Sequence, residues 1–243
     1  MMDARTAMEL RKSRRHYTDE PIPEESAESL LALVKEINRK TGMHLQMVFD
    51  HGEAFHGLRK SYGLFSGVRN YLVLAGDKNI ANLYEKMGYY GEEWVLLATS
   101  LGIGTCWVAG SYDKKSVHCH LEENEEIAAV IPFGNYSDKE SLLARALRKQ
   151  IHRNSKGIDQ LLYAVDQPPN WVIKAMKYVA KAPSAANRQP VKFTYSEGLV
   201  MASVPGDSLP QQLDMGIAKL HFQLGAEGGT WQWGNGGIFE LHS

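Results

Sequence analysis

The sequence predicts an α+β fold in which helices flank a mixed central sheet, and three observations carry that expectation. Residues 23–40 repeat apolar side chains at helical spacing. Residues 43–50, 69–76 and 126–134 are short apolar runs of strand length. Two further segments, Gly91–Gly102 and one led by Asp214, are helical in pattern but too apolar to lie fully on a surface, so both are expected to pack inside.

In chain order, a short helix begins near Asp3 and leads into the basic run Arg11-Lys12-Ser13-Arg14-Arg15. The helix over 23–40 opens on Pro23, whose missing N–H costs nothing in a first turn, and Glu24 and Glu25 suit the positive end of the helix dipole. Lys35, Arg39 and Lys40 suit the other end, and Ala27, Leu30, Leu31, Val34 and Ile37 form one stripe for burial. His51–Arg69, rich in Gly, His and aromatics, reads either as a lid or as an ordinary long connection. The next helix enters at Gly91 and leaves at Gly102, a C-cap feeding a short strand. Asp166-Gln167-Pro168-Pro169-Asn170 is the best linker, dividing the chain into a first part, 1–166, and a shorter second part, 167–243, interlocked as one globular unit. In the second part a helix entered at Trp171 is stopped by Pro183, and Pro190 opens an extended run to Tyr195. Asp214 is an N-cap candidate for the last helix, which runs toward Gly228-Gly229.

Composition narrows the functional classes. A formal net charge of −1 sets up no global field for nucleic acid. The two cysteines, Cys106 and Cys119, supply neither a disulfide framework nor a complete zinc site. His118 and His120 could share a metal from one strand face, but nothing near them in sequence reads as the remaining ligands, and no metal is expected. The N-terminal residues show no apolar signal core and no run is long enough to span a bilayer, so a reduced cytoplasmic protein with no membrane partner is the expectation.

Four segments carry groups suited to binding. Arg11, Ser13 and Arg15 alternate, so two guanidinium forks and a hydroxyl can converge on a phosphate, each charged hydrogen bond contributing about 1.5–3 kcal/mol. The competing reading is a solvated basic run near a terminus. Gly102-Ile103-Gly104-Thr105-Cys106-Trp107-Val108-Ala109-Gly110 is small enough to let backbone approach a planar ligand. Its Gly-x-Gly follows a helix, whereas a dinucleotide fingerprint follows a strand. Cys106 reads as a small apolar filler, because no neighbouring His or charge is evident to activate it. The turn Ala182–Pro190 offers Ser184, Asn187, Arg188 and Gln189 to the rim of a flat polar heterocycle, or is an ordinary capped loop. Arg145, Arg148, Lys149, His152, Arg153 and Lys156 either return to the same phosphate or form a solvated cationic face.

In combination, the basic run, Leu101-Gly102-Ile103-Gly104-Thr105-Cys106-Trp107 and Ala182-Pro183-Ser184-Ala185-Ala186-Asn187-Arg188-Gln189-Pro190 resemble the FMN-dependent nitroreductase superfamily. The helix at Gly91 and Asp214-x-Gly216 add to the likeness. The order of the pieces departs from the usual plan: the Pro-Ser-x-x-Asn-x-Gln-Pro turn comes last, and Val191 stands where typical members have tryptophan. The resemblance therefore implies a rearranged branch, two complementary nitroreductase-like halves in tandem forming a pseudo-dimer within one chain, with one FMN between them. A monomer or weak homodimer is implied.

By similarity, Arg11, Ser13 and Arg15 would hold the FMN phosphate and ribityl chain, with Arg153 or Lys156 closing the phosphate side and the Lys12 backbone contacting the flavin. Pro183, Ser184, Ala185, Asn187 and Gln189 would line the isoalloxazine, and Trp107, Val108 and Ala109 would approach its face or edge. The implied activity is an NAD(P)H oxidoreductase that passes electrons from NADH or NADPH through flavin N5 to a nitroaromatic, quinone or similar acceptor. No separate catalytic acid–base dyad is needed. The alternatives are an FMN-binding or storage protein without turnover, and a flavin-processing enzyme on the same fold.

Overall fold

The computed structural model describes residues 2–55, 64–137 and 155–242. Helix α1 (Ala4–Leu10) opens on Asp3, whose carboxylate accepts from the Arg5 and Thr6 amides at 3.0 and 3.1 Å. The chain then divides into two compact units. The first comprises Met1–Met2, Leu10–Leu83 and Trp94–Ile151; the second comprises Asp3–Glu9, Tyr84–Glu93 and His152–Ser243.

Elements of the first unit begin with α2 (Glu24–Thr41), with Pro23 just outside the helix as its N-cap residue. Leu30, Val34 and Ile37 are buried, but Leu31 is 38% exposed: it follows Leu30 by one residue, which rotates it about 100° off the buried stripe. Strands β1 (Gln46–Val48) and β2 (Asn70–Asp77) follow, the first shorter than its apolar pattern suggests. Helix α3 (Leu83–Ser100) starts well before the expected Gly91, so Gly88 and Gly91 are interior positions. The glycine signal was misleading here because Gly88 serves packing: a Cβ there would stand 2.1 Å from the Leu213 carbonyl oxygen. At its end Gly102 takes the left-handed conformation and the Ile103 amide donates to the Ala98 carbonyl at 2.9 Å, a glycine C-cap as expected. Strands β3 (Gly104–Thr105) and β4 (Glu125–Gly134) complete an antiparallel sheet of order β1-β2-β4-β3. Tyr71–Ala75 and Ala128–Ile131 are its unbroken buried centre.

The second unit continues with α4 (Ile158–Leu161), β5 (Leu162–Ala164), α5 (Asn170–Val179), β6 (Lys192–Ser196) and β7 (Leu199–Ser203). It ends with α6 (Leu209–Gly225), β8 (Thr230–Trp231) and β9 (Gly237–Glu240). The sheet order is β5-β6-β7-β9-β8, mixed because β5 runs parallel to β6 and the other pairs are antiparallel. Because β5 precedes the Pro168-Pro169 linker yet pairs with β6, that linker lies inside the unit. Phe222 of α6 stacks on Phe193 at 5.3 Å and meets Trp231 and Phe239 in the apolar core.

Two expected boundaries are corrected. Helix α5 ends at Val179, ahead of Pro183, so the proline follows the turn instead of stopping the helix. Helix α6 starts after Ser208 with Pro210 in its first turn and ends at Gly225, which places Asp214 inside it and not at its N-cap. As expected, α3 and α6 are buried along most of their lengths; in α6 every residue from Leu213 to Phe222 is buried. Among the described residues, no helix is long and apolar enough to cross a membrane.

Candidate functional site

In the first unit the basic run is extended and held on both sides. Ser13 bridges Thr105, the Arg14 amide donates to the Thr105 carbonyl at 2.8 Å, and the Ser66 amide donates to the Arg15 carbonyl at 3.0 Å. Extended backbone sends alternate side chains to one face. The charges of Arg11 and Arg15 and the Ser13 hydroxyl all act on the Cys106 thiol, while Arg14 stacks over the Tyr136 ring at 4.0 Å. Burial pushes the Cys106 thiol up, against the Arg15 charge, a Ser13 hydrogen bond and the Arg11 charge. The charges missed in the sequence are therefore present, but burial outweighs them and the cysteine remains a protonated filler.

The segment after α3 divides by role. Gly104 and Thr105 form β3, and Val108 exchanges backbone bonds of 3.0 and 2.9 Å with Val130. The Val108 side chain is 3% exposed and belongs to the apolar core. Trp107 is half-buried and Ala109 exposed, so these two remain able to meet a ligand. Lys12 is exposed.

In the second unit the turn 183–190 is strained and tightly held. Ala186, Asn187 and Gln189 all have left-handed backbone, at φ of 50°, 49° and 44°. Each such residue costs about 1–3 kcal/mol and persists only where surrounding bonds impose it. Those bonds are present. The Ala185 amide donates to the Asp214 carboxylate at 3.0 and 3.3 Å, and the Gln189 amide donates to the Ser184 hydroxyl at 2.9 Å. The Gln189 carboxamide accepts from the Lys156 amide at 2.7 Å and donates to the Ala180 carbonyl at 3.0 Å. The Lys156 ammonium donates to the Gln189 carbonyl at 2.8 Å.

Gln189 is thus 5% exposed, with its carboxamide engaged in the turn, and Lys156 braces the same turn. Pro183, Ser184 and Asn187 are half-exposed and Ala185 is exposed. Asp214, absent from the sequence-based site, is the residue that organises the turn from α6. Burial pushes its carboxyl up to about 7, opposed by the Ala185 amide and the Arg188 charge. Its sequence signal was a lone acid in an apolar run, which an N-cap explains as readily.

Other expected groups fall elsewhere. Arg145, Arg148, Lys149, His152 and Arg153 lie outside the described residues. Of the proposed lid, 56–63 also lie outside; its described ends are anchored, with Phe55 and Val68 in the core and the His51 amide donating to the Arg69 carbonyl at 2.9 Å. His118 and His120 do not meet. His120 pairs with Glu122 at 3.1 Å, whereas His118 stacks on His51 at 3.9 Å beside Glu53.

The chain belongs to a nitroreductase family: the family model described as "Putative TM nitroreductase" matches residues 3–226. Among solved structures, one from Thermotoga maritima described as a putative nitroreductase superposes at a TM-score of 0.65 and 23% identity, covering 98% of this chain and 92% of that one. A nitroreductase with bound FMN from Bacteroides fragilis has a TM-score of 0.45 and 17% identity, covering 58% of this chain and 92% of that one. An FMN-dependent nitroreductase from Clostridium difficile has a TM-score of 0.43 and 19% identity, covering 61% and 97%. No curated protein matches the chain. The family expected from the motifs, and its α+β fold, are therefore borne out.

Proposed function

We propose that this protein is an FMN-dependent oxidoreductase that takes reducing equivalents from NADH or NADPH and passes them to a small acceptor such as a nitroaromatic or a quinone. The observation that carries the reading is the alternation of Arg11, Ser13 and Arg15 along a segment bridged to Thr105 at Ser13, with both guanidinium charges and the Ser13 hydroxyl acting on the Cys106 thiol. Two guanidinium groups and a hydroxyl are a donor set matched in charge and geometry to a phosphate monoester. Ser13 now bonds a thiol, a weak acceptor, so its hydroxyl turns to a phosphate oxygen at little cost.

Arg11, Ser13 and Arg15 hold the phosphate in this reading. Trp107 and Ala109, in the same unit, lie at the face or edge of the flavin ring. In the second unit Gln189, Lys156 and Asp214 keep the turn in its strained shape, so Pro183, Ser184, Ala185 and Asn187 offer already ordered groups to a flat ligand, which lowers the entropic cost of binding. When bound, FMN supplies the hydride and electron chemistry, and the protein contributes position and electrostatics.

The test is a visible spectrum of the protein with FMN, then with NADH or NADPH under anaerobic conditions. A bound-flavin spectrum that bleaches supports the reading, and catalytic consumption of NAD(P)H on adding a quinone or nitroaromatic completes it. Bound flavin that stays oxidised points to storage, and loss of the flavin chromophore itself to flavin processing. Arg11→Ala is expected to weaken FMN binding about 10- to 100-fold. Unchanged affinity removes the phosphate assignment.

A further inference from the structure

We infer that His51, Glu53 and His118 form a binding site for one divalent transition-metal ion of the zinc, nickel or copper class. None of the three takes part in the flavin reading. His51 follows β1, Glu53 opens a short 3-10 turn (Glu53–Phe55), and His118 follows a second such turn (Lys114–Ser116). Only folding brings them together, which is why the sequence paired His118 with His120 instead.

The backbone under each residue is anchored. The His51 amide donates to the Arg69 carbonyl at 2.9 Å, and the His118 amide donates to the Tyr71 hydroxyl at 2.8 Å. Between them the Asp113 amide donates to the Ala54 carbonyl at 2.8 Å, joining the two turns, and Ala54, Phe55 and Tyr71 belong to the apolar core. Three ligand-bearing positions are therefore fixed, and only exposed side chains must adjust.

The three side chains lie together, and turning the imidazoles out of their stack about χ1 and χ2 would bring their in-plane nitrogens to one point. The imidazoles stack at 3.9 Å with 18° between their planes. Across their edge lies the Glu53 carboxylate, with Oε1 at 3.6 Å from His51 Nδ1 and Oε2 at 3.9 Å from His118 Nε2. One nitrogen or oxygen from each residue lies within 4.8 Å of the others. Both separations exceed hydrogen-bond length. They approach the ~3.3 Å that separates neighbouring ligands around a tetrahedral ion with bonds of about 2.0 Å. All three side chains are about half exposed, so small χ rotations close the remaining gap without moving packed atoms.

The donor set selects the metal class. Two imidazole nitrogens and a carboxylate suit zinc, nickel and copper, whereas calcium and magnesium favour all-oxygen shells. Three protein ligands leave a coordination position for water. Neighbouring candidates are committed elsewhere: His120 pairs with Glu122 and His44 pairs with Glu125 at 2.8 Å. Bound metal would tie the segment after β1 to the segment before β4.

The test is calorimetric titration of the full chain with Zn²⁺ under a non-chelating reductant, with Mg²⁺ as the control. The expected result is one Zn²⁺ per chain with Kd below about 10 μM and no heat from Mg²⁺. His118→Ala and His51→Ala should each weaken Zn²⁺ binding at least about tenfold, while His120→Ala and Cys119→Ser stay within about twofold of wild type. Circular dichroism of the variants confirms that exposed substitutions leave the fold intact. No Zn²⁺ uptake, unchanged affinity in His118→Ala, or loss of binding in Cys119→Ser or His120→Ala alone would overturn the site.

Discussion

Strands β2 and β4 bury Tyr71–Ala75 and Ala128–Ile131 as unbroken apolar runs, whereas helix α6 buries Asp214, Lys219 and His221 among its apolar residues. In the strands the antiparallel ladder satisfies the backbone, and side chains have only to fill space. In the helix each ionisable group needs named partners, because an unpaired buried charge costs several kcal/mol. Lys219 has three: its ammonium donates to the Glu85 carboxylate and to the Gln232 and Gly234 carbonyls at 2.9 and 3.0 Å. That uses all three of its hydrogens. Glu85 in turn accepts from the Gly234 amide at 2.6 Å. His221 has an acceptor at each ring nitrogen, Glu92 at 2.9 Å and the Tyr178 carbonyl at 3.1 Å. The lesson is that apolar burial tolerates small errors of fit, whereas ionic burial depends on partners set in place by close backbone approach at glycine.

That contrast can be broken at its most rigid point. A Cβ at Gly216 would lie 1.9 Å from the Glu85 carbonyl oxygen and 2.6 Å from the Tyr89 amide nitrogen, both backbone atoms that cannot swing aside. Gly216→Leu is therefore expected to cost more than about 4 kcal/mol and to abolish cooperative folding of the second unit. A wild-type urea midpoint in this variant would refute the close approach.

A smaller loss follows from removing one charge. Lys219→Ala strands the Glu85 carboxylate and should cost about 3–5 kcal/mol in urea unfolding, while Lys219→Met combined with Glu85→Leu should recover most of it. In β4, Ile131→Ala should cost about 2–5 kcal/mol with no comparable rescue by changing one partner, since its loss is spread over many contacts. Rescue of neither or of both would erase the distinction between the two regions.

The smallest effect is a slope. The Asp214 carboxyl is pushed up to about 7 from an ordinary value of 3.8, so the folded protein keeps a proton there that the unfolded chain has already released. Stability should then fall as pH rises from about 4 to about 7 and level off above, by at most about 1.4 kcal/mol per pH unit from this group. Asp214→Asn should flatten that part of the curve and keep the bond to the Ala185 amide. An identical slope in wild type and variant would assign the titration elsewhere.

Legibility in the sequence tracked how local each cause was. Helix α2 and strands β2 and β4 were readable because periodicity and length depend on the chain's own pattern, although Leu31 showed that one residue of phase decides burial. The phosphate-type donor set was readable because alternation along extended backbone is local. The start of α6 was missed although Ser208-Leu209-Pro210 carries a helix-opening signal, because Asp214 offered a competing one. The partners of Gln189, Val108 and His118 were not legible for a common reason: Lys156, Val130 and His51 are remote in sequence.

By itself, then, the amino-acid order determined the α+β class and the nitroreductase family to which the chain belongs, since these reside in pattern and motif. Only the tertiary structure decided which polar residues face outward to a ligand and which are consumed in building the turn. It also decided which charges α6 can bury and which histidines meet. Those outcomes depend on interatomic distances between segments far apart in the chain, and hydrogen bonds, ion pairs and ligand shells are won or lost over about an ångström.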